Sequence, residues 1–586
     1  MRMLPTLRRS ELAALAGVLL LATVLRLWDL DANGFGNEYY AAGVRSMLQG
    51  VRLFFYNAFD PAGLVSLDKP PLAFWIQTAF AAALGYSGWS IHLPQALAGV
   101  ASVALLYGLV RRPFGRIAAF FAALLLAVSP VTVAADRSNN ADSWLVLFLL
   151  IAAALAMRGR GLSWVLAMVA LGLAFNVKML AALVCGPALL VGWWLASTLD
   201  WRQRLAWLTA GGVTLTIVAL SWAVAFDLTP RDSRPLAGSS KGNSMLELIV
   251  VHNGLERFAR NRPETPIFSV PAYDAAPVGP LRLATPMLAA QFAWALPLAL
   301  LGAVLAWRRS AWVALWASWA LVYAIVYSAA GGIFHIYYLA TLAPPLAALA
   351  GVGCYELWRR GPGYLALGLA VTALWQGYLT AETLGWTASW IGFPGVALLA
   401  AAAAWWRAKR PPAIIGGVAL LVLPAAWALS PVFSPGNLTL PSASLPRWLG
   451  IDDGRGPILS RHFQSLTDDP KLLAYLQAQR GRARFLVATP TALLAAPVII
   501  RTGGPALAVG GYLGNDPIMS VEAFAERVRR GEVRYVVLGT ARRPADFDAW
   551  VRAHGVPVDP ALWRSLPSEP RRRIALYDLA PRQPAR

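Results

Sequence analysis

Charge is scarce in this chain. Only 14% of its 586 residues are Asp, Glu, Lys or Arg, where a soluble globular domain carries about a quarter. That scarcity excludes an ordinary water-soluble fold. Cysteine is scarcer still: Cys185 and Cys354 both lie inside apolar runs, which excludes a disulfide framework. The five histidines show no metal-ligand spacing. There is no GxSxG, HExxH or CxxC, so nothing supports an acyl-transfer serine, a zinc protease or a redox dithiol. GGYLGND, at 510–516, is not GxGxxG and lacks the lysine of a phosphate-binding loop; it reads as a tight turn.

What the chain has instead is apolar length. Hydrophobic residues make up 58%, and runs rich in Ala, Leu, Val and Trp recur to residue 430. About 20 such residues cross a bilayer, so the reading is an α-helical polytopic membrane protein. The first run, ELAALAGVLLLATVLRLWDL, follows Arg8 and Arg9; Arg26 and the lack of a small-residue cleavage site make it a retained anchor, not a signal peptide. The net charge of +21 reads as cytoplasmic loops and contact with anionic headgroups, with no nucleic acid partner.

Basic clusters punctuate the runs: Arg111 and Arg112, Arg158 and Arg160, Arg202 and Arg204, Arg308 and Arg309, Arg359 and Arg360, and Arg407 with Lys409 and Arg410. All of them fall on the cytoplasmic side if 71–85, too short to cross, lies in the outer interface. The spans are then 11–30, 92–110, 116–134, 141–157, 162–178, 179–197, 205–226, 286–307, 311–329, 334–356, 362–381, 386–406 and 412–430. This gives about 13 transmembrane helices in a membrane domain covering 1–430, with external loops 31–91 and 227–285. The N-terminus is expected inside and the C-terminus outside. After a linker over 431–455, residues 456–586 alternate short apolar strands (FLVAT, PALAVGG, RYVVLG) with helical patterns such as SVEAFAERVRRG. They predict an extracytoplasmic α/β domain with a parallel sheet.

This topology gathers the unusual polar residues on one face. Its acids are Glu38, Asp60, Asp68, Asp136 and Asp142; its cations are Arg45, Lys69, Arg137, Lys178, Arg234 and Lys241. Cations suit a phosphate near the headgroups, and an acid suits deprotonation of a hydroxyl. The plain alternative is that these residues pair among themselves. In SLDKPPLAFW, Asp68 and Lys69 precede Pro70 and Pro71, which stiffen the chain into a helix start. Glu38 and Arg45 lie seven residues apart on one helical face. Lys178 ends an apolar helix, where an ionisable group is a functional candidate and snorkelling the alternative. His335, Tyr337 and Tyr338 open a span; His335 could meet a phosphate or a metal, while the tyrosines suit the interfacial belt.

The blocks FDPAGLVSLDKPPLAFWIQT (59–78), SGWSIHLPQALAGV (87–100), DRSNNADSW, FNVKML, RPLAGSSKGNSMLEL, HNGLERF and FHIYYLATLAPPLAAL, with VATPTALLAAPVIIRTGGPALAVGGYLGNDP in the tail, carry a resemblance. The chain resembles the family 39 glycosyltransferases of the GT-C class, and within it the bacterial mannosyltransferase-like proteins. The resemblance implies a GT-C fold and transfer of a sugar, with inversion, from a polyprenyl phosphate donor to a lipid, glycan or protein acceptor of the cell envelope, outside the bacterial cytoplasmic membrane. It implies Lys69 as a donor-phosphate ligand, with Arg45, Arg137, Lys178 and His335 as further candidates. Glu38 stands where the family carries its acid, but this chain reads Asn37-Glu38 where many members read Asp-Glu, and Asp68 is the rival base. Tyr39, Tyr40, Asn139, Asn140, Asp142, Lys241, Tyr337 and Tyr338 are the expected substrate contacts. The donor carries its own leaving group, so nothing requires a nucleotide fold; external Asp and Glu could hold a divalent metal ion as cofactor, though no spacing demands it. The competing classes are a lipid or sugar flippase, which would favour midplane charges and span repeats, and an envelope partner that binds through its tail.

Overall fold

The computed structural model describes residues 9–258, 276–307, 310–332, 334–385, 392–407, 409–434, 436, 438–444, 469–512, 514, 516–539, 545–565 and 574–580. Most of the expected linker, and Arg308 and Arg309, lie outside them. The chain divides into two compact units. The first comprises Met1–Gly34, His92–Ser221 and Gly254–Pro457; the second comprises Phe35–Ile91, Trp222–Asn253 and Ile458–Arg586.

An apolar helix stands at each expected span, but not all are whole. Among the described residues, seven are long and apolar enough to cross a membrane, or eight if Pro286–Phe292 and Leu296–Ala306, bent by 64°, count as one. The sequence count of thirteen also includes short and broken helices. The breaks have local causes. Gly115, two residues after Pro113, adopts φ +83° and interrupts Gly88–Ala127. Met179, at φ +48°, separates Gly161–Lys178 from Leu180–Leu183, a backbone state that non-glycine residues rarely adopt. Leu72–Leu84 has 13 residues, about 20 Å of helix against a hydrocarbon core of about 30 Å.

The second unit holds a five-stranded sheet. Its strands are β1 (Ala488–Thr489), β2 (Leu507–Ala508), β3 (Tyr535–Leu538), β4 (Val556–Pro557) and β5 (Ala575–Asp578), in the order β2-β1-β3-β5-β4. The expected parallel sheet is only half of it: β1 pairs parallel with β2 and β3, while β5 runs antiparallel to both β3 and β4. The helices Ala492–Thr502 and Val521–Arg529 provide the parallel crossovers, but the chain returns from Ala545–His554 through β4 to β5 without another.

Strand β3 alternates as a two-sided buried strand should. Val536 and Leu538 enter one apolar cluster with Phe485, Phe524 and Phe547. Tyr535 and Val537 face the other cluster, and that one is shared: Ile499 and Leu494 of the C-terminal segment pack there with Tyr39, Tyr40, Phe59, Leu67 and Phe74. The loop region 35–91 and the C-terminal sheet therefore bury one common core.

Candidate active site

In the second unit, Asn37 opens the helix Glu38–Met47, its side chain accepting from the Tyr39 N–H at 3.2 Å. Glu38 is the first helical residue and Arg45 lies in the last turn, each the charge sign that the local helix dipole favours. Both are half-buried. The Arg45 guanidinium lies 5.0 Å from the Tyr86 ring centroid, and the Tyr86 hydroxyl donates to the Ala41 carbonyl at 2.9 Å. Tyr40 is buried against Phe74, with ring centroids 4.8 Å apart.

Asp68 and Lys69 form an ion pair of 2.6 Å, with each side chain 10% exposed. A knotted loop sets their geometry. Asn57 holds φ +53° and donates from its amide to the Lys69 carbonyl at 2.9 Å. The buried Asp60 carboxylate accepts from the N–H groups of Ala62, Leu64 and Val65. Burial still outweighs these bonds and pushes its pKa up from 3.8 to about 6. Pro71 opens the helix Leu72–Leu84 with no side-chain cap; the Asp68 carboxylate therefore engages Lys69 and does not cap that helix.

The first unit brings several expected residues together. Lys178, in the last turn before the Met179 break, meets Asp142 at 2.5 Å, with the side chains 9% and 1% exposed. Its ammonium lies 4.0 Å from the Tyr338 ring centroid and 4.7 Å from that of Tyr337. His335 stacks on Tyr337 with centroids 5.4 Å apart. The sequence reading missed Arg257, which donates to the Tyr338 hydroxyl at 3.0 Å. Gly332 explains the approach: a Cβ there would lie 1.9 Å from the Glu256 carbonyl oxygen. The signal was present in two blocks, HNGLERF and GGIFHIYY, whose contact no spacing rule reveals.

Other candidates are placed differently. Arg137 is 1% exposed and donates to the carbonyls of Pro431, Leu25, Arg26, Trp28 and Asp29. It ties chain segments together where a phosphate ligand was expected. Arg26 and Asp136, also buried, pair at 2.7 Å. A Cβ on Gly99 would lie 2.1 Å from Asp136 Oδ2, so the glycine of QALAGV leaves room for this pair. Asn139 and Asn140 are buried, and the Asn140 amide reaches the Thr439 carbonyl at 3.4 Å. The Lys241 side chain is exposed, and its backbone N–H donates to Glu247 at 2.9 Å. The Arg234 guanidinium caps the carbonyls of Phe226 and Asn243. Among the described residues, no group of three or more His, Cys, Asp or Glu side chains is arranged to hold a metal ion.

Known proteins share this pattern. Residues 68–222 match the family model described as "Dolichyl-phosphate-mannose-protein mannosyltransferase", and residues 472–554 match "Putative mannosyltransferase YkcB-like, C-terminal". The Bacillus subtilis (strain 168) protein named "Putative mannosyltransferase YycA" is 33% identical over 93% of this chain and 94% of its own. The chain belongs to this glycosyltransferase family. A second member from the same organism, "Putative mannosyltransferase YkcB", is 32% identical over 94% of this chain and 92% of its own. In fold the family member is similar to ArnT from Cupriavidus metallidurans, solved bound to undecaprenyl phosphate: TM-score 0.53, 16% identity, 98% of this chain and 99% of that one. It is thus a multi-pass membrane protein of GT-C fold.

Proposed function

We propose that this glycosyltransferase moves a sugar from a polyprenyl phosphate to a hydroxyl-bearing acceptor of the cell envelope, at the outer face of the cytoplasmic membrane, with inversion. The observation that carries the reading is the Asp68–Lys69 pair, set 2.6 Å apart by a proline-stiffened loop, in a chain 33% identical to a mannosyltransferase-type relative. ArnT, of the same fold, was solved with a polyprenyl phosphate, which supports the same donor class here.

In this reading a base takes the proton of the acceptor hydroxyl. The hydroxyl oxygen attacks the anomeric carbon, and the bond to the donor phosphate breaks with its electron pair staying on phosphate. Lys69 meets the negative charge that accumulates on the leaving group. Arg45, in the same unit as Lys69, offers a further cationic contact. Asp68, already joined to Lys69, orients the ammonium. That leaves Glu38, half-buried at the start of its helix, as the general base.

The test is sugar transfer by the purified full-length protein in lipid nanodiscs, from a panel of synthetic polyprenyl phosphate sugars. Glu38→Gln is expected to bind donor normally and to turn over about 10²–10⁴-fold more slowly at saturating donor. Near-normal turnover in Glu38→Gln, with collapse in Asp68→Asn, reverses the two roles; no transfer from any lipid phosphate donor removes the reading. Orientation is read separately: a cysteine at Ser87 is expected to react with an impermeant reagent in intact cells.

A further inference from the structure

We infer that the C-terminal loop carrying Tyr512 and Asp516 positions the Asp68–Lys69 pair, so that the C-terminal α/β segment is a working part of the transferase and not a separate binding module. This rests on the assignment of Lys69 to the donor phosphate.

Two chains of contact, both within the second unit, lead from that loop to the pair. The first runs through Asp516. One oxygen, Oδ2, accepts from the N–H of Tyr512 and from the N–H of Ser239, each at 3.2 Å. It therefore ties the C-terminal loop to a turn almost three hundred residues earlier. Ser239 sits at φ +62°, a left-handed state that non-glycine residues rarely adopt and that stores strain. A strained turn needs an outside hold, and the Asp516 carboxylate supplies one. The neighbouring Gly238 carries the contact onward: its N–H donates to the Ser66 hydroxyl at 3.3 Å, and a Cβ there would lie 2.5 Å from the Ser66 carbonyl oxygen. The turn presses on the backbone two residues before Asp68.

The second chain is aromatic. The Tyr512 and Tyr39 rings lie 4.7 Å apart between centroids, and Tyr39 also stacks on Phe59 at 4.9 Å. The Tyr39 hydroxyl and the Asp68 backbone nitrogen both face Gly238, 3.5 and 3.7 Å from where a Cβ on that glycine would stand. Tyr512 thus bears on the ring whose hydroxyl lies beside the Asp68 backbone. Aromatic pairs at such spacing contribute beyond their buried area, and they transmit displacement because packed interiors do not compress. Neither Tyr512 nor Asp516 contacts the Lys69 ammonium in these two chains. Their role is positioning.

The experiment measures binding of a synthetic polyprenyl phosphate to the full-length protein in nanodiscs, with thermal unfolding recorded on the same samples. Tyr512→Ala and Asp516→Ala are expected to weaken binding roughly three- to tenfold, the size of coupling seen within one packed network. Tyr512→Phe keeps the ring and is expected to bind as the parent does. Lys69→Ala supplies the reference. A positioning role acting through Lys69 predicts that Tyr512→Ala adds little to the loss already present in Lys69→Ala; a merely structural brace predicts that the two losses multiply. Should the alanine variants fail to fold, Tyr512→Leu and Asp516→Asn, closer in volume, are held to the same criterion. Unchanged binding in folded Tyr512 and Asp516 variants, beside a clear loss in Lys69→Ala, overturns the inference and leaves the donor reading standing. Unchanged binding in Lys69→Ala removes the donor reading itself.

Discussion

The two units each bury an aspartate–lysine pair, built on opposite plans. Asp68 and Lys69 are sequence neighbours, held by an Asn57 bond, an Asp60 knot and two prolines; each side chain keeps 10% exposure. Asp142 and Lys178 are 36 residues apart. They meet because Asp142 opens the helix Asp142–Ala156 and Lys178 closes Gly161–Lys178, and two tyrosine rings cover the lysine. In the first pair local chain geometry sets the contact; in the second, helix packing does. The lesson is that similar ion pairs respond differently to losing a partner. A carboxylate in a loop that keeps some solvent can rehydrate, whereas one 1% exposed between helices cannot.

The largest effect is therefore expected at Lys178. Lys178→Ala leaves the Asp142 carboxylate buried with its ammonium gone, which costs about 3–5 kcal/mol. The measurement is thermal unfolding in nanodiscs. The double variant Asp142→Asn with Lys178→Met is expected to recover most of the loss, because no charge is then left unpaired. A Lys178→Ala protein that melts like its parent would erase the distinction between the pairs.

That contrast also marks what the sequence could and could not tell. SLDKPP announces its pair, because neighbours in a proline-stiffened loop have few arrangements. The apolar runs locate the helices, since hydrophobic length reads directly as span. The pairing of Asp142 with Lys178 was legible only as two suspicious residues; nothing local says which of several acids lies opposite. Arg137 shows the same limit: an arginine beside asparagines reads as a ligand, and nothing local tells that five carbonyls, four from residues 25–29 and one from Pro431, converge on it. The mixed sheet was half legible: strand–helix alternation gives the parallel strands, but β4 and β5 follow no such rule. Least legible was the common core of Tyr39, Phe59 and Phe74 with Ile499 and Tyr535, because more than four hundred residues separate its halves. GGYLGND was read as a turn, and its Tyr512 and Asp516 only gained a role once that core was seen.

A middle-sized effect tests how much of the order of the Asp68–Lys69 loop comes from Asp60. Asp60 ties it, and burial raises the Asp60 pKa to about 6 from the ordinary 3.8. The folded protein thus binds this proton more tightly than the unfolded chain does. Its contribution to stability is fully present below the ordinary value and is lost as pH rises through about 6. The span of roughly two pKa units sets a ceiling of about 3 kcal/mol. Asp60→Asn removes the titration while keeping one acceptor oxygen. The melting temperature of the parent is expected to fall relative to Asp60→Asn between pH 4 and pH 7. A constant difference across that window would mean that the loop draws its order from elsewhere in the unit.

The smallest effect on folding, and the sharpest on function, is expected at Lys69. Its ammonium is held by Asp68 at 2.6 Å, and each side chain is 10% exposed. Asp68 is the less deeply buried of the two carboxylates left behind, 10% exposed against 1%, so Lys69→Ala should cost less stability than Lys178→Ala. If Lys69 meets the donor phosphate, the same change removes a charge-assisted contact and weakens donor binding by about 1.5–3 kcal/mol. The two quantities move in opposite order along the comparison: Lys178→Ala is chiefly a folding lesion, Lys69→Ala chiefly a binding one. Measuring donor affinity and melting temperature on both variants separates them. Equal loss of stability in the two variants, with donor affinity unchanged in folded Lys69→Ala, would mean that both pairs are structural, and the search for the phosphate ligand would move to the Arg257 and Tyr338 cluster of the first unit.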